Sequence, residues 1–284
     1  MMSDQRASLK TARRVTTRAL MQSKQRGERW VMLTSYDALT AELCDSAGVP
    51  ALLVGDSAGN TVFGYDNTIP VTFEEMLPLV RSVARGARRS LIVADMPFGS
   101  YQSGVRDALK CGMQFIKAGA HSVKMEGGRR IAPQVRALVD AGVPVMAHLG
   151  FTPQSLNVFG GYRVQGRGGE ADALLEDVGE LERAGVFAVV LEMIPAPLAK
   201  RITSSTRIPT IGIGAGPDCD AQVLVWHDLV GLTKEPRPRF VRTYASLRAV
   251  VTESVLKFQD DVETRKYPSD AESYEEEAEP QRAR

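Results

Sequence analysis

Across 284 residues, 35 Lys+Arg stand against 34 Asp+Glu, a formal net charge of +1 with no basic stripe interleaved with aromatics. That balance argues against nucleic acid as a partner, and no apolar run approaches the roughly 20 residues of a membrane span. Three cysteines, Cys44, Cys111 and Cys219, lie far apart without CxxC spacing. They read as reduced thiols of a cytoplasmic protein and exclude a disulfide framework or a cysteine zinc site.

Residues 1–27 form an N-terminal extension, polar up to residue 15 and lacking the apolar core of a secretory signal, with a short helix predicted over 16–27. From 28 to 259 apolar runs alternate with helical patterns. Strands are expected at 31–36, 51–56, 90–95, 122–126, 143–148, 186–192, 208–213 and 222–227. Helices are expected at 37–47, 72–87, 102–118, 129–141, 170–184 and 195–203. Gly48, Gly119, Gly142 and Gly185 each follow a helical pattern and precede a strand, the usual punctuation after a last helical turn.

Strand alternating with helix implies parallel pairing through crossover helices. This number of units in one catalytic domain suits a single (β/α)8 TIM barrel. A long amphipathic segment, 239–258, is expected to finish the barrel or cover one end. Residues 260–284 are acidic and poor in large aliphatics, the composition of a disordered tail.

Four carboxylates terminate apolar runs: Asp56 in ALLVGDS, Asp95 in LIVADMP, Glu126 in SVKMEGG and Glu192 in AVVLEMI. A charge at such a place is costly unless it has work to do. In a (β/α)8 barrel the strand C-terminal ends build the active site, so these groups are expected around one polar cavity. Carboxylates with few histidines favour an oxygen-loving cation such as Mg2+ over Zn2+. Lys124 and Glu126 share a strand face by period-2 alternation; they read either as a buried ion pair or as an ammonium beside a metal, suited to an anionic substrate. Asp56 also reads as a turn cap.

Glu192 falls two strand units beyond Glu126, across the mouth, where a general base is well placed; a paired core glutamate is the other reading. His148 ends its strand at the barrel top, a contact to substrate or to the metal's ligands. His121 and His227 read as structural. The run Gly212-Ile213-Gly214-Ala215-Gly216 suits a phosphate site or a tight turn, and residues 160–167 suit a lid or an oligomer contact.

The motifs VGDSAGNTVFGYDNTIPVT, VADMPFGSY, VKMEGG, PVMAHLGFTPQS, GGYRVQGR, VVLEMIP and IGIGAG, followed by QVLVWHD, occur in this order within residues 28–245, the stretch over which a resemblance extends. Together they resemble the ketopantoate hydroxymethyltransferase family. The resemblance implies a barrel of the phosphoenolpyruvate/pyruvate type and a homodecamer. It implies hydroxymethyl transfer from 5,10-methylenetetrahydrofolate to 3-methyl-2-oxobutanoate in pantothenate biosynthesis, through a Mg2+-stabilised enolate. Position by position it makes Asp56, Asp95 and Glu126 the metal carboxylates. Asp56, Ser57, Asp95 and Lys124 become contacts to the oxo acid, and Glu192 the catalytic base. A Mg2+-dependent lyase or phosphonomutase of the same barrel type, and a non-catalytic scaffold, are the competing readings.

Overall fold

The computed structural model describes residues 14–274; the first part of the polar N-terminal segment and the end of the acidic tail lie outside the described residues. Helix α1 (Thr17–Gln25) starts at Thr16, whose hydroxyl accepts from the Ala19 N–H. The chain continues as β1 (Trp30–Thr34), α2 (Ala38–Ser46), β2 (Ala51–Val54), α3 (Phe73–Gly86), β3 (Leu91–Asp95), α4 (Val105–Lys117) and β4 (Ser122–Glu126). Next come α5 (Ala132–Asp140), β5 (Val145–Gly150), the short α6 (Leu156–Phe159), α7 (Glu170–Ala184), β6 (Ala188–Glu192) and α8 (Ala196–Ser205). The last elements are β7 (Thr210–Ile213), β8 (Ala221–Leu224), the single-turn α9 (Trp226–Leu229) and α10 (Leu247–Glu263).

All eight strands pair in parallel in chain order, and β8 closes onto β1. The expected (β/α)8 barrel is the fold. Helix starts follow the capping chemistry of the sequence. Asp37 accepts from the Thr40 N–H at α2, and Thr72 with Glu75 forms a reciprocal capping box at α3. The glycines read as helix punctuation, Gly48, Gly119, Gly142 and Gly185, all take positive φ.

Strand parity decides which side chains reach the interior. Leu53, Val93, Met146 and Val190 pack in the cluster that fills the barrel. Their neighbours Leu52, Ile92, Ala147 and Val189 pack outward against the helices. Continuing the inward set by twos places Asp95, Lys124, Glu126, His148 and Glu192 inside, at the strand C-terminal ends. Asp56 breaks the parity, because β2 ends at Val54 and the chain turns at Gly55 before reaching it.

At the opposite end α1 closes the barrel floor: Leu20 is fully buried, and the Lys24 ammonium donates to Asp220 Oδ2 and to the Thr203 carbonyl, both at 2.8 Å. One expectation fails. α10 neither completes the barrel nor covers an end within the chain, since none of its residues is buried. It also runs past residue 260, where the tail was expected to begin. Among the described residues no helix is long and apolar enough to cross a membrane.

Candidate active site

Oxygens of Asp56, Asp95 and Glu126, all three residues buried, lie within 4.8 Å of one another. The Lys124 ammonium sits among them, 2.9 Å from Asp95 Oδ1 and 3.4 Å from Glu126 Oε1. Three carboxylates against one ammonium leave a formal charge of −2 when all are ionised, the charge one divalent cation neutralises. Burial pushes the Asp56 carboxyl well above the usual range, and the nearby Asp95 and Glu126 charges add to it. Asp95 is raised for the same first reason, with Lys124 opposing. Burial acts upward on Glu126 too, but the Lys124 ammonium and His148 outweigh it and hold the carboxyl at about 2.

The donor set fits a hard divalent cation. Asp95 Oδ1 makes a charge contact with Lys124 but has no aligned hydrogen-bond donor, so a buried lone pair remains available. Asp95 Oδ2 accepts from the Asp56 N–H at 3.2 Å, which ties the end of β3 to the turn after β2. An all-oxygen set of this kind suits hard cations such as Mg2+ or Mn2+ better than zinc.

His148 links this cluster to Glu192. Its Nδ1 lies 3.1 Å from Lys124 Nζ, and its Nε2 lies 3.2 Å from Glu192 Oε2. Nδ1 also lies 3.3 Å from Glu126 Oε1. Burial and the Lys124 charge act downward on the imidazole, but Glu126 and Glu192 outweigh them and raise it. The Nε2 contact with Glu192 is one of charge without an aligned hydrogen bond. The Glu192 side chain is 16% exposed, more open than His148 at 4% or Glu126 at 2%. A carboxylate reachable from the mouth and steadied by an imidazole has the form of a general base.

The backbone around Glu192 is unusual. Met193 takes φ 46, a left-handed conformation that a non-glycine side chain pays for, about 1 kcal/mol. Its N–H donates to the Ile213 carbonyl and its own carbonyl accepts from the Gln165 N–H, both at 2.9 Å. Opposite, Gly150 at φ 90 leaves room that a Cβ would take, 2.2 Å from the Glu192 carbonyl oxygen. The loop 160–167 is thus anchored at Gln165, and Tyr162 packs on Phe151 with ring centroids 5.0 Å apart.

Ser57 stands beside Asp56, its Oγ 2.8 Å from the Tyr36 hydroxyl. Burial chiefly pushes Tyr36 up to about 12, so it stays protonated. His227 stacks on Tyr36 at 5.5 Å and supports it. His121 accepts from the Ile92 N–H at 2.9 Å, far from the mouth. In the glycine run, a Cβ at Gly214 or Gly216 would meet Phe240 or Ala196, at 2.8 and 2.4 Å, the mark of a packed turn.

Gln154 carries a role that the sequence hides. Its Nε2 donates to Asp56 Oδ2 and its N–H to Glu126 Oε2, both at 2.9 Å. Its Oε1 accepts from the Tyr101 hydroxyl at 2.7 Å, and that hydroxyl accepts from the Glu126 N–H at 3.0 Å. One amide therefore fixes two of the three carboxylates. Replacing such a supporting partner typically costs 10–100-fold in metal affinity, so Gln154→Leu is expected to weaken Mg2+ or Mn2+ binding by about that factor. Calorimetric titration checks it, with melting in EDTA reporting folding separately; unchanged affinity would show that the carboxylates need no clamp.

The closed parallel barrel is shared in fold with solved structures that include a member of the PEP mutase/isocitrate lyase superfamily. Two solved structures show the likeness in fold. One is a phosphonopyruvate hydrolase in complex with oxalate and Mg2+, with TM-score 0.59, 14% identity and 91% of each chain covered. The other is 2,3-dimethylmalate lyase, a member of that superfamily, with TM-score 0.56, 15% identity and 91% of each chain covered.

Sequence comparison is more specific. The ketopantoate hydroxymethyltransferase family profile matches residues 14–270. A 3-methyl-2-oxobutanoate hydroxymethyltransferase of Acidothermus cellulolyticus is 55% identical over 269 residues, covering 94% of this chain and 99% of the relative. That of Saccharopolyspora erythraea is 56% identical over 264 residues, covering 93% and 90%. The chain belongs to the ketopantoate hydroxymethyltransferase family, and it is an enzyme.

Proposed function

We propose that this enzyme transfers a hydroxymethyl group to 3-methyl-2-oxobutanoate from 5,10-methylenetetrahydrofolate, giving 2-dehydropantoate, the ketopantoate of pantothenate biosynthesis. The observation that carries the reading is the buried convergence of Asp56, Asp95 and Glu126 around an uncompensated charge, with Glu192 held apart from it by His148. Asp56, Asp95 and Glu126 would hold Mg2+, which when bound supplies Lewis-acid polarisation of an oxo acid's oxygens.

The chain's own groups account for the rest. Lys124 and the Ser57 hydroxyl bind the substrate carboxylate, and Tyr36 orients that hydroxyl. Glu192 accepts the proton from C3, while His148 keeps its carboxylate facing inward. Carbon C3 then bonds to the methylene carbon, both of that carbon's bonds to the folate nitrogens break, and water supplies the new hydroxyl. The C3 proton and the second proton of the water go to the two nitrogens of the departing tetrahydrofolate. Buried walls keep other water from quenching the carbon nucleophile.

The enzyme acts as a homo-oligomer, a decamer by family resemblance. Val250, Val251, Val255, Leu256, Phe258 and Val262 of α10 are each 45–60% exposed, an apolar face that supports contact between copies. Its free cysteines suit a reducing cytoplasm. The direct test combines both substrates with Mg2+ and follows ketopantoate by mass spectrometry. Product is expected with Mg2+, lost in EDTA and restored on adding Mg2+ back. No product under any of these conditions would overturn the reading.

A further inference from the structure

A cavity of about 860 Å3 opens beside the carboxylate cluster. Its walls come from the loops after β3, β4 and β5 and from the adjoining turns of α5 and α7. Glu126 and Gln154 belong both to this wall and to the cluster's hydrogen-bond network, so the cavity abuts the chemistry. A small branched oxo acid fills only a fraction of such a volume; sites of roughly 300–1,000 Å3 hold drug-sized molecules.

The lining has two chemistries. Phe98, from the loop after β3, is 47% exposed, and Val158 of α6 is 82% exposed, with Phe159 beside it. Two loops thus present unused apolar surface to one space. At the edge stand two arginines. Arg129 is committed to Glu176 at 2.9 Å and Asp177 at 2.6 Å. Arg130 is exposed and makes no ion pair among the described residues.

An aromatic row runs from the cavity wall to the loop 160–167. Phe159 packs on Phe151 at 5.7 Å, and Phe151 on Tyr162 at 5.0 Å. Tyr162 lies near enough to Glu192 and Asp56 for their charges to act on its hydroxyl. Phe151 is fully buried, so it packs beneath Phe159 and the exposed Tyr162 and fixes both rings at the mouth.

We infer that this cavity holds the second substrate, a flat heterocycle against Phe98, Val158 and Phe159 with an anionic tail directed at Arg130. The assignment rests on the one-carbon transfer proposed above and gives its donor a place. The carbon to be transferred lies at the heterocycle end, toward Tyr162, and the tail lies outward.

The test measures dissociation constants on the full chain with Mg2+ and 3-methyl-2-oxobutanoate present. The probes are tetrahydrofolate and 6-methyltetrahydropterin, which has the ring and lacks the anionic tail. Val158→Glu is expected to weaken both by about tenfold or more. Arg130→Ala is expected to weaken tetrahydrofolate by about fivefold and to leave the pterin unaffected. Both side chains are exposed, so folding is not at stake.

If the unaltered enzyme makes ketopantoate but neither variant changes either constant, the cavity assignment is wrong while the transfer reading stands. If Val158→Glu changes the sedimentation mass and leaves both constants alone, this mouth is a contact between copies, which also overturns it. If the unaltered enzyme makes no ketopantoate, the reading beneath the assignment has failed.

Discussion

Glu192→Gln is expected to lower the rate of hydroxymethyl transfer by about 10²–10⁴-fold, the usual worth of a positioned general base. The amide keeps the shape of the side chain and removes only its ability to take a proton. Glu192 lies outside the carboxylate cluster, so Mg2+ affinity and the KM for the oxo acid are expected to change little. That split matters, because a purely structural glutamate would move stability or KM along with kcat. His148 Nε2 stands 3.2 Å from Glu192 Oε2 without an aligned hydrogen bond, so the amide removes a charge contact and keeps the packing. Steady-state kinetics with a Mg2+ titration settles it: near-normal turnover would remove Glu192 from the chemistry.

Lys124→Met has the largest expected effect on stability. The ammonium is 4% exposed and sits among three buried carboxylates, so its loss leaves charge with no partner. Breaking a buried pair in this way costs about 3–5 kcal/mol. The pH dependence follows from the shifts. With Lys124 present, Glu126 is held at about 2, below its unfolded value of about 4.3. Its contribution is therefore complete above the unfolded value and is lost as pH falls toward 2. Asp56 and Asp95 already stand above the usual range by burial, and without Lys124 all three carboxyls move upward, so the variant regains more stability than the unaltered protein as pH falls through them. The gap between the two proteins in EDTA is thus expected to be widest near pH 7 and to narrow on acidification. Urea unfolding at neutral and acid pH measures it, and a gap independent of pH would contradict the account.

Much of the fold was legible because burial writes itself locally. Each strand of a parallel barrel is covered on both faces and reads as an apolar run, and the glycines closing α2, α4, α5 and α7 mark where each helix gives way. The carboxylates were legible for the same reason. Asp95 and Glu126 end apolar runs, and period-2 alternation turns Lys124 the same way as Glu126. Asp56 shows the limit: strand parity alone would send it outward, and the turn at Gly55 brings it back.

Other parts were hidden because their partners are distant in sequence. Gln154 is an ordinary polar residue in a turn until Asp56, 98 positions away, accepts its side-chain amide. The Tyr36–Ser57 contact joins loops after different strands, and the His148–Glu192 contact joins neighbouring strand ends across a β-α-β crossover. α10 misled for a different reason. Its amphipathic pattern promises burial, but a pattern does not say whether the covering surface belongs to the same chain or to another copy.

The central claim is that Asp56, Asp95 and Glu126 hold a divalent cation that makes the C3 proton of a 2-oxo acid removable. Proton NMR of 3-methyl-2-oxobutanoate in D2O tests it most directly, with the enzyme in Mg2+, in EDTA, and with Asp95→Asn in Mg2+. The account predicts loss of the C3 proton signal with Mg2+ and the unaltered enzyme alone. Exchange that persists in EDTA or in Asp95→Asn would contradict it.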